Sequence, residues 1–218
     1  TAEVKRIGAP EITSISNDIP GVLIEWEPVD DIFKYQILRK NGVDGEWYVL
    51  DYSEDEEFLD MEVDGGGNYY YTINAVTEDG GLSGYNEDGK GITFIETPDL
   101  IELKNTYAGV VFTWDSVPGA AKYIVYRRVS GGGWKNLGTV TGTTFTDKEA
   151  LVGTKTYIYT ARAVAEDGSR GYYDSGLSVK YMQAPKVTFA NTGSGITIKW
   201  GKISGAKQYY VYRKVSGS

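Results

Sequence analysis

The chain has 218 residues, 41% of them hydrophobic and 24% charged, with a net charge of −8 and neither cysteine nor histidine. The two absences exclude disulfides, thiolate metal sites and thiol nucleophiles, and they remove the commonest general base and metal ligand. No apolar run approaches the ~18–20 residues of a membrane helix, and Thr1-Ala2-Glu3-Val4-Lys5-Arg6 lacks the apolar core of a signal peptide. Membrane insertion is therefore not expected, and any export signal or anchor is expected to lie outside this sequence.

With 28 glycines, 18 tyrosines and five tryptophans, the composition favours β-structure broken by turns. In chain order, Glu3 to Pro10 aligns with Ser178 to Pro185, so residues 1–8 are expected to be the closing strand of a preceding repeat or a linker. Val22, Ile24 and Trp26 then alternate with Leu23, Glu25 and Glu27, the period-two pattern of a strand with one face in a core. After the turn Pro28-Val29-Asp30-Asp31 comes a second alternating run, Tyr35, Ile37 and Arg39. The arginine is expected to flank the tryptophan or cap the sheet face. A glycine-rich turn from Asn41 to Gly45 leads to a predicted strand bearing Trp47, Phe58 begins another, and Tyr69 to Val76 forms the next. Glu78-Asp79-Gly80 reads as a turn, and Ile92-Thr93-Phe94 closes the unit.

The whole pattern then recurs. Trp114, Tyr123, Val125 and Arg127 follow at a spacing of 88, and Trp200, Tyr209, Val211 and Arg213 at 86, with Trp134, Phe145, Tyr157 to Val164, Glu166-Asp167-Gly168 and Leu177-Ser178-Val179 filling the second copy. A supersecondary unit repeated whole, with about seven short strands per copy, reads as an all-β tandem of seven-stranded antiparallel sandwiches. Expected units are residues 9–97, 98–183 and 184–218, the last carrying only its first three strands and loosely packed or completed by another chain. The sequence is expected to be cut from a longer array. Glu96-Thr97-Pro98 and Gln183-Ala184-Pro185 leave almost no linker, which predicts a semi-rigid rod.

These residues resemble the fibronectin type III domains repeated in bacterial cell-surface and secreted proteins. The resemblance covers nearly the whole chain. It is carried by the Trp ending the second strand, the Tyr-x-aliphatic run of the third, and an aliphatic residue six positions before a tyrosine, Val63 to Tyr69 and Leu151 to Tyr157. It implies an immunoglobulin-like β-sandwich and a tyrosine corner, in which the hydroxyl bonds a backbone group.

Charge divides by unit: 21 acids against 4 bases in residues 9–97, 8 against 10 in residues 98–183, and no acids against 6 bases in residues 184–218. Nucleic-acid binding is not expected, because it needs clustered bases. Asp51, Asp55, Glu57, Asp60 and Glu62 are weak calcium candidates, since oxygens from Asp51 to Glu62 match much of an EF-hand loop, but Glu56 stands where that loop requires glycine. No other cofactor is implied. The carboxylate pairs Asp30/Asp31, Glu78/Asp79 and Glu166/Asp167 suit turns better than a catalytic cleft, so no enzyme activity is expected. Tyr85, Tyr172 and Tyr173 are ligand-binding candidates whose rings can stack on sugars or anchor a protein, and their structural alternative is packing on Trp47 and Trp134. No Arg-Gly-Asp triplet is present. The function expected is an exported, non-catalytic spacer or protein-interaction and adhesion array on a bacterial surface, with possible self-association through the incomplete third repeat. The alternatives are an accessory carbohydrate-binding module of a secreted polysaccharide-degrading enzyme and a calcium-dependent adhesion module.

Overall fold

In a strand with one buried face, alternate residues turn inward, as Val22, Ile24 and Trp26 do in the first repeat and Val110, Phe112 and Trp114 in the second. The structure, a computed structural model, describes residues 7–149, 153 and 155–215; the expected strand at residues 1–8 and Leu151 of the second tyrosine-corner spacing fall largely or wholly outside them. Among the described residues there are strands and no helices. Unit one comprises β1 (Ile12–Asn17), β2 (Val22–Trp26), β3 (Lys34–Asn41), β4 (Tyr48–Ser53), β5 (Glu57–Asp60), β6 (Asn68–Val76) and β7 (Lys90–Thr93). Unit two comprises β8 (Leu100–Thr106), β9 (Gly109–Trp114), β10 (Lys122–Val129), β11 (Lys135–Val140), β12 (Thr144–Asp147), β13 (Thr156–Val164) and β14 (Leu177–Lys180). Trp47 and Trp134 lie just before β4 and β11, one residue outside the strands expected to carry them.

Each unit is an antiparallel sandwich. Sheet β1-β2-β5 packs on β4-β3-β6-β7, and β8-β9-β12 on β11-β10-β13-β14. The fourth strand pairs with the third, whereas in an immunoglobulin constant domain it lies beside the fifth. Even the irregularities repeat: register shifts fall between Ile12 and Ser14 and between Ile37 and Leu38 in unit one, and between Leu100 and Glu102 and between Val125 and Tyr126 in unit two. Bulges placed alike in both copies bend the strands alike, so they belong to the design of the repeat.

Val22, Ile24 and Trp26 are buried against Tyr35, Ile37, Tyr71 and Ile73, and Val110, Phe112 and Trp114 against Tyr123, Val125 and Tyr159. Each such side chain contributes about 1.5–3 kcal/mol on burial. The recurring tryptophan meets the recurring tyrosine edge-on, at 5.2 Å between ring centroids for Trp26 and Tyr35 and 5.4 Å for Trp114 and Tyr123. The tyrosine hydroxyl accepts the N–H of the residue six positions before it, Val29 for Tyr35 (3.0 Å) and Val117 for Tyr123 (2.8 Å).

The third segment departs from expectation. β15 (Val187–Thr192) and β16 (Gly195–Trp200) form a hairpin, but residues 201–215 form no strand. The local Trp–Tyr pair is present, with Trp200 and Tyr209 at 5.6 Å and the Ile203 N–H donating to the Tyr209 hydroxyl at 2.7 Å. In units one and two the corresponding strand is held between two neighbours, and no described strand plays that part here. With no facing sheet, Ile196, expected inside, is 67% exposed.

Candidate functional site

The inward alternation of β3 brings Arg39 into unit one's interior, where it does not flank Trp26. β5 comes from the opposite sheet and, also at period two, carries Phe58 and then Asp60 inward. Arg39 Nη1 donates to Asp60 Oδ2 at 2.6 Å and to the Glu62 carbonyl at 2.8 Å, and its Nε donates to the Tyr48 hydroxyl at 2.5 Å. The Tyr71 hydroxyl donates to the same Asp60 oxygen at 2.7 Å, and the Glu62 N–H to the other at 2.9 Å. Unit two repeats this with Arg127, Asp147, Tyr159 (2.7 Å from its hydroxyl to Asp147) and the Glu149 N–H, and adds an ion pair from Arg127 to Glu149 at 2.7 Å. Burial alone would lower the guanidinium pKa, but the bonds from Asp60 and Tyr48 reverse the effect and raise it. Burial, reinforced by the bond to Asp60, pushes the Tyr71 phenol well above its ordinary value, and Tyr159 behaves alike. Asp60 on one sheet is thus held by Arg39 and Tyr71 of the other, and Asp147 by Arg127 and Tyr159, so the cluster's task is to tie the two sheets together.

That pairing accounts for Asp60, one of the five calcium candidates. Asp51 sits on β4 and accepts its neighbour's N–H, Asp55 lies in the turn to β5, Glu57 opens β5, and Glu62 follows it. Among the described residues no group of three or more acids converges as a cation site.

The tyrosine candidates lie at the sandwich edges. Tyr85 meets Trp47 edge-on at 6.3 Å, beside a cleft of about 420 Å³ to which Glu11, Asn86 and Lys90 also contribute. Tyr173 stacks between Tyr172 and Tyr126, each at 5.8 Å, and meets Trp134 edge-on at 6.2 Å. The guanidinium groups of Arg162 and Arg128 lie over Tyr173 and Trp134 at 5.7 and 4.5 Å. Tyr173 is thus an internal member of a stack, and Tyr172 presents the outer face. Face-to-face stacking leaves one ring available, where a flat sugar platform needs several side by side.

The tyrosine corner forms in unit one, where the Asp64 N–H donates to the Tyr69 hydroxyl at 2.8 Å. Tyr69 also lies under Arg39 at 5.2 Å.

Sequence reasoning did not anticipate the joint between the units. The chain continues extended beyond β7, so successive side chains point opposite ways. Phe94 enters the core of unit one and Ile95, 1% exposed, enters that of unit two. Asp167, in the Glu-Asp-Gly turn of unit two, reaches back to β7, where Thr93 donates to its Oδ2 from N–H (3.1 Å) and from Oγ1 (2.7 Å). Ser169 Oγ accepts the same N–H at 3.1 Å, and Asn17 of β1 donates to the Thr93 carbonyl at 2.9 Å. Partial burial works to raise the Asp167 pKa, but bonds from Thr93 and Ser169 outweigh it and hold the carboxyl below its usual range. Gly66 and Gly119, at φ of 81° and 75°, touch across the joint so closely that a Cβ on Gly119 would lie 2.6 Å from Gly66 Cα.

No protein-family model and no curated protein sequence matches the chain. Among solved structures it is similar to a two-domain fibronectin type III segment of chicken tenascin, at 16% identity with a TM-score of 0.41, covering 81% of this chain and all of that one. It is also similar to the FN1–FN3 domains of chicken CNTN1, at 18% identity with a TM-score of 0.32, covering 92% of this chain and 76% of that one. Both are tandem arrays. The all-β sandwich fold of units one and two stands on its own strand order and register.

Proposed function

We propose that the chain is a non-catalytic, extracellular module of a bacterial cell-surface or secreted protein, a spacer that presents interaction surfaces at a fixed spacing. The observation that carries this reading is the joint, where adjacent residues enter different cores and Asp167 bonds the last strand of the preceding unit. Inter-unit motion is the ordinary expectation for tandem domains unless the interface is substantial, and this joint opposes it with apolar burial and charge-assisted hydrogen bonds. A display role suits such stiffness, and the surface available for partners is the acidic face of unit one together with the edge tyrosines. The placement outside the cell rests on the resemblance to repeats of cell-surface and secreted proteins, and a bacterial source fits a chain with neither cysteine nor Asn-x-Ser/Thr sequons.

Residual dipolar couplings measured on residues 9–183 test the spacer reading. Couplings from units one and two that fit one common alignment tensor support it, and two independent tensors overturn it.

A further inference from the structure

We propose that the cleft between units one and two is a docking site for residues 184–218 of a second copy of this chain. The cleft, about 400 Å³, has Asp18, Glu96 and Asp99 on its walls together with Ile19, Pro20 and Tyr172. None of the three carboxylates belongs to an ion pair among the described residues. Ile19 is 60% and Tyr172 47% exposed, and stacking on Tyr173 holds the Tyr172 ring in place. A fixed aromatic face beside carboxylates is the chemistry that receives an ammonium or guanidinium group, through cation–π attraction and charge-assisted hydrogen bonds.

Residues 184–218 have the complementary character, with six bases and no acids. Cations flank three rings in Lys207-Gln208-Tyr209-Tyr210-Val211-Tyr212-Arg213-Lys214, where Tyr210 and Tyr212 are 73% and 86% exposed. Docking would place Lys207, Arg213 or Lys214 among the carboxylates and a ring on Tyr172 or Ile19. The donor is a second copy because the chain leaves unit two at the far end from the cleft and its own third segment is seated there, where a Cβ on Gly153 would lie 3.6 Å from the Ser204 carbonyl oxygen. Asn105, towards the end of β8, donates to the Lys180 carbonyl at 3.0 Å, whereas Asp99 precedes the start of β8. A seven-residue strand separates the two ends by roughly 20 Å. The carboxylates are exposed, so salt screens their attraction for cations within ~8 Å at physiological strength and more at higher strength, and the docking is salt-sensitive. The docking goes beyond the spacer reading, and the rigid joint would stand without it.

Sedimentation equilibrium of the whole chain at 50 and 500 mM salt provides the test. The expected result is a concentration-dependent dimer at low salt, weakened at high salt. Tyr172→Ala, and separately Glu96→Gln with Asp99→Asn, should raise its dissociation constant about tenfold or more, with Tyr172→Phe close to the parent. The charge-matched pair Glu54→Gln with Asp55→Asn, on the exposed turn before β5, should change it less than about twofold. Monomer throughout overturns the proposal. So does equal loss in both charge-matched pairs, which marks a general field. A dimer indifferent to the cleft variants overturns it as well, because the exposed apolar side chains of the third segment would then pair among themselves.

Discussion

Arg39 and Asp60 illustrate how a single charged residue can be read correctly as important and wrongly as to purpose. The inward period of β3 was legible, but Arg39 was expected to flank Trp26 or cap the sheet face, and it is buried against Asp60 instead. The partner was not legible, because Asp60 lies in an acidic run and its solitary inward register shows only when Phe58 is taken as a core residue and alternation is followed two positions further. Removing one member of such a pair leaves a buried charge uncompensated, so Asp60→Ala should destabilise unit one by about 3–5 kcal/mol in urea unfolding. Replacing both Arg39 and Asp60 by Met and Leu should cost much less. Tyr71 and Tyr159 add a pH dependence. Their folded pKa values are raised above the unfolded value of about 10, so their contribution is complete below pH 10 and is lost as pH rises beyond it, when the unfolded phenol ionises. Stability measured from pH 9 to 11 should fall, and the double variant Tyr71→Phe/Tyr159→Phe should flatten that fall.

Strands were the most legible elements, since burial of one face imposes a period-two pattern that the chain displays openly. The joint was illegible for the converse reason: Thr93 and Asp167 are 74 residues apart, and nothing local to either requires the other. Ile95 lies ahead of the expected joint at residues 97 and 98 yet packs in the second core. Ile95→Ala should therefore destabilise unit two by about 2–4 kcal/mol while leaving unit one nearly unchanged, as resolved by separate Trp114 and Trp26 probes. The depressed pKa of Asp167 makes its contribution available above the unfolded value of about 3.9 and loses it as pH falls through the lower folded value. The Thr93 amide should accordingly become exchange-labile only in acid below the ordinary carboxylate range, and Asp167→Ala should produce the same lability at neutral pH.

Across the whole molecule, order declines towards the C-terminal segment. Two sandwiches bury complete cores, whereas β15 and β16 form a hairpin that covers little of its own apolar surface. Phe189 is 69% exposed and Val211 59%. An isolated hairpin is marginal in water. Brief trypsin treatment should cut after Lys199, Lys202 or Lys207 before any site within β1–β14, and protection of these three equal to that of the sandwiches would contradict the arrangement. The repeat spacing already marked the third copy as carrying only its first three strands and loosely packed; what it did not show is that the third of these, around Tyr209 and Val211, forms no strand.

The Glu-Asp-Gly turn occurs in two settings that differ at two positions, Thr77 against Ala165 and Gly81 against Ser169. In unit one Thr77 supplies its own hydroxyl to Asp79 at 2.5 Å, while in unit two the equivalent residue is Ala165 and Asp167 finds its hydroxyl on the neighbouring unit. The carboxylate that bonds a hydroxyl of its own turn in one copy thus clamps a joint in the other. An array assembled from near-identical parts can in this way put one turn to two uses, with no change to any core.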